Sequence, residues 1–476
     1  MSDGVAAPGP TTLAALREAG RHHPRTVKQE VRANLLARLA AGGPRFPGIV
    51  GFDDTVLPEL ERGLLAGHDM VLLGERGQGK TRLIRSLVHL LDEWTPVVAG
   101  CEINDHPEAP VCGACRTRLA ELGGDLPVTW RHRSERYGEK LATPDTSVGD
   151  LIGDVDPIKV AEGRTLGDPE TIHYGLVPRT NRGIFSVNEL PDLAERIQVA
   201  LLNVLEERDI QVRGYQLRLP LDLLLVASAN PEDYTNRGRI ITPLKDRFGA
   251  EIRTHYPLRL DDELRLIRQE AVLAWDGDEL GRPVMPQHVL EVIARFTRAV
   301  REAPQIDARS GVSARFAIAA AETAAASAVR RAAVTGERVP VVRVVDLPAT
   351  VPTALGKVEF DQFEEGRELD LLKHLLKRAV AETYRSRVAG ADLSGLLRRF
   401  DDGRTVETGE GVPAAELLRR VGPVPGLAQL LRRLGDDEGA ETPGLAAAAL
   451  EFVLEGLHLA KRLAKEELPG RSVYGG

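Results

Sequence analysis

The octapeptide Gly74-Glu75-Arg76-Gly77-Gln78-Gly79-Lys80-Thr81 constrains this chain more than any other feature. It follows a short apolar run, residues 70–73 (MVLL), and precedes helical spacing over residues 80–91. Strand, tight turn and helix in that order are the setting in which G-x-x-x-x-G-K-[ST] cradles phosphate. The glycines let successive backbone N–H groups converge on phosphate oxygens, and the helix adds its positive dipole end. Lys80 is then expected to reach the outer phosphates and the Thr81 hydroxyl a magnesium ion, so the expected ligand is ATP with Mg²⁺.

Two later apolar runs read as companion parallel strands, residues 183–187 (GIFSV) and 223–227 (LLLVA), each with polar residues at its carboxyl end. Helical spacing fills residues 193–207. Strand and helix alternating in this way predict an α/β fold, a three-layer core around a parallel sheet. After residue 257 the strand-like runs stop. Helical periodicity takes over at 261–275, 287–302 and 313–333, and again at 368–387, 414–421, 427–434 and 445–467. The expected organisation is an extension with a helix at 1–44 and a nucleotide-binding core at 45–257. A helical lid at 258–340 and a C-terminal helical region at 341–476 complete it. Residues up to Pro10 read as disordered, and residues 12–41 as one helical stretch ended by Gly42-Gly43-Pro44.

A phosphate loop needs an acidic strand end beside it to serve magnesium and activate water. Phe185-Ser186-Val187-Asn188-Glu189 supplies one, with Asn188 where an aspartate is usual. The Asn188 amide accepts a hydrogen bond but brings no charge to a metal. Slow hydrolysis is therefore expected, with Glu189 as general base. A third strand end, Ser228-Ala229-Asn230-Pro231, adds a neutral amide that could orient water.

The order of phosphate loop, Asn188-Glu189, Ser228 to Pro231 and Lys245-Asp246-Arg247-Phe248 resembles an AAA+ ATPase. Three further stretches narrow the likeness: Ile49-Val50-Gly51, residues 175–185 (GLVPRTNRGIF) and a hairpin at 207–219. They resemble the magnesium-chelatase ATPase subunit and its MoxR relatives, over residues 46–333. The resemblance implies roles: Asn230 as sensor 1, Arg247 as the arginine finger given to a neighbouring subunit, and Arg315 as the sensor 2 arginine of the lid. It also implies a homo-oligomeric ring, a hexamer, that hydrolyses ATP to remodel or activate a partner protein. That partner is expected to carry a von Willebrand-type domain on another chain, since the nearest D-x-S-x-S match here, residues 392–396 (DLSGL), fails at its last position. A nucleotide-sensing scaffold with little hydrolysis and a MoxR-type chaperone unlinked to metal chelation stay open as alternatives. A sigma-54 activator, also AAA+, lacks its G-A-F-T-G-A contact loop here.

The stretch between Lys80 and Glu189 is far longer than the roughly 30 residues of a minimal βαβ unit. Residues 145–175 resemble the helix-2 insert of the chelatase group. Residues 100–132 hold all three cysteines, Cys101, Cys112 and Cys115. With His106 between them they suggest a structural Cys₃His zinc site. His132 is a rival fourth ligand, and a redox pair or plain thiols are the other readings. With 62 Lys+Arg against 70 Asp+Glu the net charge is −8, which argues against a nucleic-acid coat. No segment reaches the roughly 18 apolar residues of a membrane span, and a cytoplasmic protein is expected.

Overall fold

The computed structural model describes residues 9–20, 24–156, 161, 171–206, 210–212, 215–217, 219–231, 240–274, 281–306, 311–360, 366–401, 403–436 and 442–475. The chain divides into two compact units, Met1–His255 and Tyr256–Gly476.

The first unit is built on five parallel strands. They are β1 (Met70–Leu73), β4 (Tyr137–Leu141), β7 (Gly183–Asn188), β10 (Leu223–Ala229) and β11 (Ala250–Arg253), in the order β11-β1-β10-β7-β4. The expected runs are continuous in apolar residues because both faces of the sheet are buried. Val71, Leu73, Phe185, Val187, Leu225 and Ala227 enter one core, and Met70, Leu72, Ile184, Leu224 and Val226 the other. Ile197 and Leu201 from helix Glu195–Glu206 cover the first face. Helices Val27–Ala41, Val56–Ala66 and Lys80–Ser86 cover the second. The result is the expected three-layer α/β core.

Among the described residues of the first unit, the other strands form three antiparallel pairs outside this sheet: β2 (Trp94–Val98) with β3 (Val128–His132), β5 (Gly153–Val155) with β6 (Ile172–Tyr174), and β8 (Ile210–Val212) with β9 (Tyr215–Leu217). The last two pairs fall in the segments read as the helix-2 insert and the 207–219 hairpin. Most of the insert between β5 and β6, and the turn between β8 and β9, lie outside the described residues.

Two expectations at the amino-terminal end are corrected. The segment 12–41 is two helices, because Gly20 takes the left-handed conformation (φ 57°) and stops Leu13–Ala19. Thr26 and Gln29 cap the second reciprocally. Of the segment read as disordered, residues 1–8 lie outside the described residues, while Pro10 is held, its carbonyl accepting from the Trp130 indole at 3.0 Å.

The second unit is dominated by helices, among them Leu260–Glu270, Gln287–Glu302, Ala314–Thr335, Glu368–Val388 and Pro443–Leu459. One apolar core runs through it, from Leu264 to Tyr474. A buried Arg343–Glu451 ion pair at 3.0 Å ties the segment after Ala314–Thr335 to the last helix. The helix expected over 445–467 ends at Leu459. Lys461 turns left-handed (φ 59°), and β13 (Ala464–Leu468) pairs with β14 (Arg471–Gly475), which also pairs with β12 (Val406–Gly409). Tertiary pairing overrides helix propensity there: Tyr474 of β14 is buried, with its hydroxyl on Glu455 at 2.5 Å. Among the described residues no helix is long and apolar enough to cross a membrane.

The first unit holds a buried charge cluster beneath its sheet. Arg136, just before β4, donates to both Glu30 carboxylate oxygens at 2.7 Å and to the Arg182 carbonyl at 2.9 and 2.7 Å. Removing one partner of such a pair strands the other charge out of water. Arg136→Met is expected to lower the stability of the first unit by about 3–5 kcal/mol, read by urea unfolding.

Candidate functional site

The site is assembled where β1, β10 and β7 present their carboxyl ends side by side. Gly74 follows β1 directly, and its N–H donates to Ala229 O of β10 at 3.2 Å. Gly77 and Gly79 take φ of 75° and 80°, which other residues rarely adopt, and so bend the loop into the start of Lys80–Ser86. At Gly74 the constraint is space. A Cβ there would overlap the Thr254 hydroxyl and the Gln78 side-chain oxygen, which bond each other at 2.8 Å. Thr81 is half-buried in the first helical turn, and Arg76 is exposed.

Lys80 is buried and folded back over its own loop. Its ammonium donates to the carbonyls of Gly74 and Glu75 and, at 3.0 Å, to Asn230 Oδ1. Asn230 Nδ2 in turn donates to Glu189 Oε2 at 3.0 Å. Three residues read separately from sequence thus form one contact run, Lys80–Asn230–Glu189, across three strand ends. Glu189 reaches it from a left-handed backbone (φ 56°, ψ 49°), uncommon for a residue other than glycine. Its N–H donates to Ser228 Oγ at 3.3 Å, and that hydroxyl donates to Asn188 Oδ1 at 3.3 Å.

Asn188 has a partner that the sequence did not disclose. Its amide donates to Glu139 Oε1 of β4 at 2.6 Å. Arg85 of the phosphate-loop helix grips both Glu139 oxygens, at 2.7 and 2.9 Å, and the Tyr137 hydroxyl donates at 3.1 Å. Burial opposes ionisation of Glu139, but Arg85 and Tyr137 outweigh it and hold the carboxyl below the usual range. A carboxylate therefore stands beside the position where Asn188 brings none. A cavity of about 400 Å³ opens next to the loop, lined by Gly74, Gln78, Pro231, Lys245 and Thr254 among others. The cradle that a Cβ would fill, the adjacent hydroxyl of Thr81 and the carboxylates of Glu189 and Glu139 fit a magnesium-bound nucleotide.

The other expected residues lie elsewhere. Arg247, at the end of helix Thr242–Arg247, pairs with Glu206 on the surface, its side chain 46% exposed. Arg315 belongs to the second unit, in the first turn of Ala314–Thr335, where its N–H donates to Ser313 Oγ at 2.9 Å. Around the cysteines the fold groups a set of side chains other than the expected Cys101, His106, Cys112 and Cys115. Cys101, Cys112, Cys115 and Asp105 place their ligand atoms within 4.8 Å of one another, and His106 is not in that group. Instead its Nδ1 accepts from Glu108 N–H at 3.1 Å. His132 is turned to Ser134, at 2.7 Å, and packs edge-on against Trp94. All three cysteines are free thiols.

Comparison with known proteins adds relatives for part of the chain. The Sigma-54 interaction domain matches residues 165–247. Magnesium-chelatase subunit ChlI of Anabaena variabilis is 30% identical over 189 residues, covering 39% of this chain and 52% of that protein. The magnesium-chelatase 38 kDa subunit of Rhodobacter capsulatus is 28% identical over 237 residues, 47% of this chain and 59% of that protein. Over the matched part the chain is similar to magnesium-chelatase subunits, and over residues 165–247 to the Sigma-54 interaction domain. It spans little more than half the length of these curated relatives. Among solved structures, a chain in a complex of subunits BchI and BchD of magnesium chelatase aligns at 21% identity and TM-score 0.33, over 67% of this chain and 96% of that one. The Thermotoga maritima RuvB Holliday junction branch migration motor aligns at 13% identity and TM-score 0.35, over 93% and 95%. Scores this low leave the fold argument to the strand order itself.

The phosphate-loop core depends on the absence of a side chain at Gly74. Gly74→Ala is expected to push Thr254 and Gln78 aside and to cost about 1–3 kcal/mol, read as a lowered thermal midpoint. Adding Thr254→Ala should recover part of the loss.

Proposed function

We propose that this chain binds and hydrolyses ATP as one subunit of a homo-oligomeric ring, a hexamer, and uses the cycle to remodel or activate a partner protein. The observation that carries the reading is the Lys80–Asn230–Glu189 contact run at the mouth of the parallel sheet. In it Lys80 exchanges the loop carbonyls for the β- and γ-phosphates, Asn230 orients the attacking water, and Glu189 takes its proton. Magnesium, when bound, neutralises charge on the transferring phosphoryl group. Thr81 would hold it, with Asn188 accepting from its water shell and the neighbouring Glu139 carboxylate contributing field rather than direct charge on Asn188. The neutral amide makes hydrolysis slow rather than absent.

Arg247 is the trans-acting cation in this reading. Its exposure and its surface pair with Glu206 leave it able to exchange partners when a neighbouring subunit presents phosphate. A cation so placed contributes roughly 10³–10⁵ in rate. Arg315 is the lid arginine. The core is residues 45–257, with the lid at 258–340, and the β5–β6 and β8–β9 hairpins are its moving parts. The partner is a separate protein of the von Willebrand-domain kind that the sequence resemblance implies. The setting is cytoplasmic, and the cysteine cluster holds a structural zinc.

Steady-state phosphate release tests this. Wild-type protein should turn over ATP in a concentration-dependent way. Lys80→Ala should abolish turnover, and Glu189→Gln should lower it about 10²–10⁴-fold with nucleotide still bound. Arg247→Ala alone should be inactive and regain activity when mixed with Lys80→Ala. Equal rates for wild type and Glu189→Gln would leave a nucleotide-sensing scaffold.

A further inference from the structure

The segment 98–122 has an unusual shortage of core. Helix Gly113–Leu122 buries a single residue, Cys115, and leaves Leu122 43% exposed. A ten-residue helix that buries so little apolar surface is marginal in water unless something else holds it. Cys115 points into the group formed with Cys101, Cys112 and Asp105.

Asp105 marks what that group lacks. Its side chain is 1% exposed. Oδ2 accepts from Cys112 N–H at 2.9 Å, whereas Oδ1 is buried with no hydrogen-bond partner among the described residues. A buried carboxyl oxygen left so is unfavourable unless a cation or a proton meets it. The sulfurs are meanwhile prepared as acceptors. Cys101 Sγ accepts from Asp105 N–H at 3.4 Å, and Cys112 Sγ from Cys115 N–H at 3.3 Å. Cys112 is also the N-cap of the helix, which fixes the direction of its sulfur. Three sulfurs and one carboxylate oxygen are a soft, tetrahedral donor set suited to zinc.

The same loop grips the turn that launches β7. Asn104, left-handed at φ 56°, donates to Arg179 O at 2.6 Å, and Asn181 Nδ2 donates to Ile103 O at 2.9 Å. Arg182, left-handed at φ 60°, donates to Asn104 O at 3.3 Å, to Pro96 O at 2.8 Å and to Thr95 Oγ1 at 2.9 Å. Gly183 follows at once, where a Cβ would overlap the Arg136 carbonyl. Two uncommon backbone conformations are thus held by one loop, and β7 runs from them to Asn188 and Glu189.

We infer that Cys101, Asp105, Cys112 and Cys115 form a Cys₃Asp site for zinc, and that the ion, by fixing residues 101–106, holds the 179–182 turn from which β7 starts. The inference deepens the zinc reading above, replacing His106 by Asp105 and assigning the ion a positioning role; it does not rest on ATP turnover.

Metal content and cobalt substitution test the ligand set on the full-length protein. Wild type purified without added metal should hold about one zinc per chain, and its Co²⁺ form should show tetrahedral visible bands with thiolate charge transfer. His106→Ala should match it. Asp105→Ala should bind Co²⁺ at least about tenfold more weakly, and Asp105→Cys should restore binding with stronger thiolate absorption, which separates lost ligation from misfolding. Loss in His106→Ala with Asp105→Ala unchanged would overturn the ligand set, and absence of metal from every form would overturn the site itself. Hydrogen exchange with and without chelator tests the positioning role: protection of residues 179–188 should fall while that of the second unit holds. Unchanged exchange at 179–188 would refute that role while leaving the ligand set standing. Failure to hydrolyse ATP alters none of these readings.

Discussion

The structure turns on the meeting of a lysine, an amide and a carboxylate at three adjacent strand ends. Lys80 is a buried cation, and burial is tolerated because two loop carbonyls and Asn230 receive its protons. Those contacts are of the kind a phosphate would replace. Everything else in the first unit serves to bring the three together: parallel register puts Leu73 beside Ala229 and Val187 beside Ala227, and cores on both faces keep the strands from sliding.

At the opposite ends of the strands a second polar system does comparable work. Glu30, Arg136 and Arg182 are all buried, and burial, with Arg136 nearby, lowers the Arg182 guanidinium to about 10 while leaving it charged at neutral pH. Arg182 and Asn181 join this system to the cysteine loop, and Asp222 N–H donates to Asn181 Oδ1 at 2.9 Å just before β10. The starts of β7 and β10 are thus held by hydrogen bonds, and their far ends are free to carry the site. This division suits a fold whose ligand sits at strand carboxyl ends.

Much of this was legible in the sequence because local rules sufficed. The phosphate loop is a contiguous motif, and the three central strands are apolar runs that need no alternation once both faces are covered. Gln287–Glu302, Ala414–Val421 and Leu427–Leu434 match their helical spacing to the residue. What was hidden depends on contacts between distant segments. Strand β4 (YGEKL) is too polar to read as part of a buried sheet, so Glu139 beside Asn188 had no local signal. On residue type His106 is the expected fourth ligand, with His132 its rival; only the folded loop shows that Asp105 lies with the sulfurs. At the chain's other end β13 carries helix-forming residues and is made a strand by its pairing with β14.

The central claim is that the cradle at Gly74–Thr81 receives a triphosphate. Titration calorimetry of the intact wild-type protein with a non-hydrolysable ATP analogue, with and without magnesium, addresses it most directly. The account predicts saturable binding that tightens when magnesium is present. Folded protein that shows no saturable heat at any analogue concentration, with or without the metal, would contradict it.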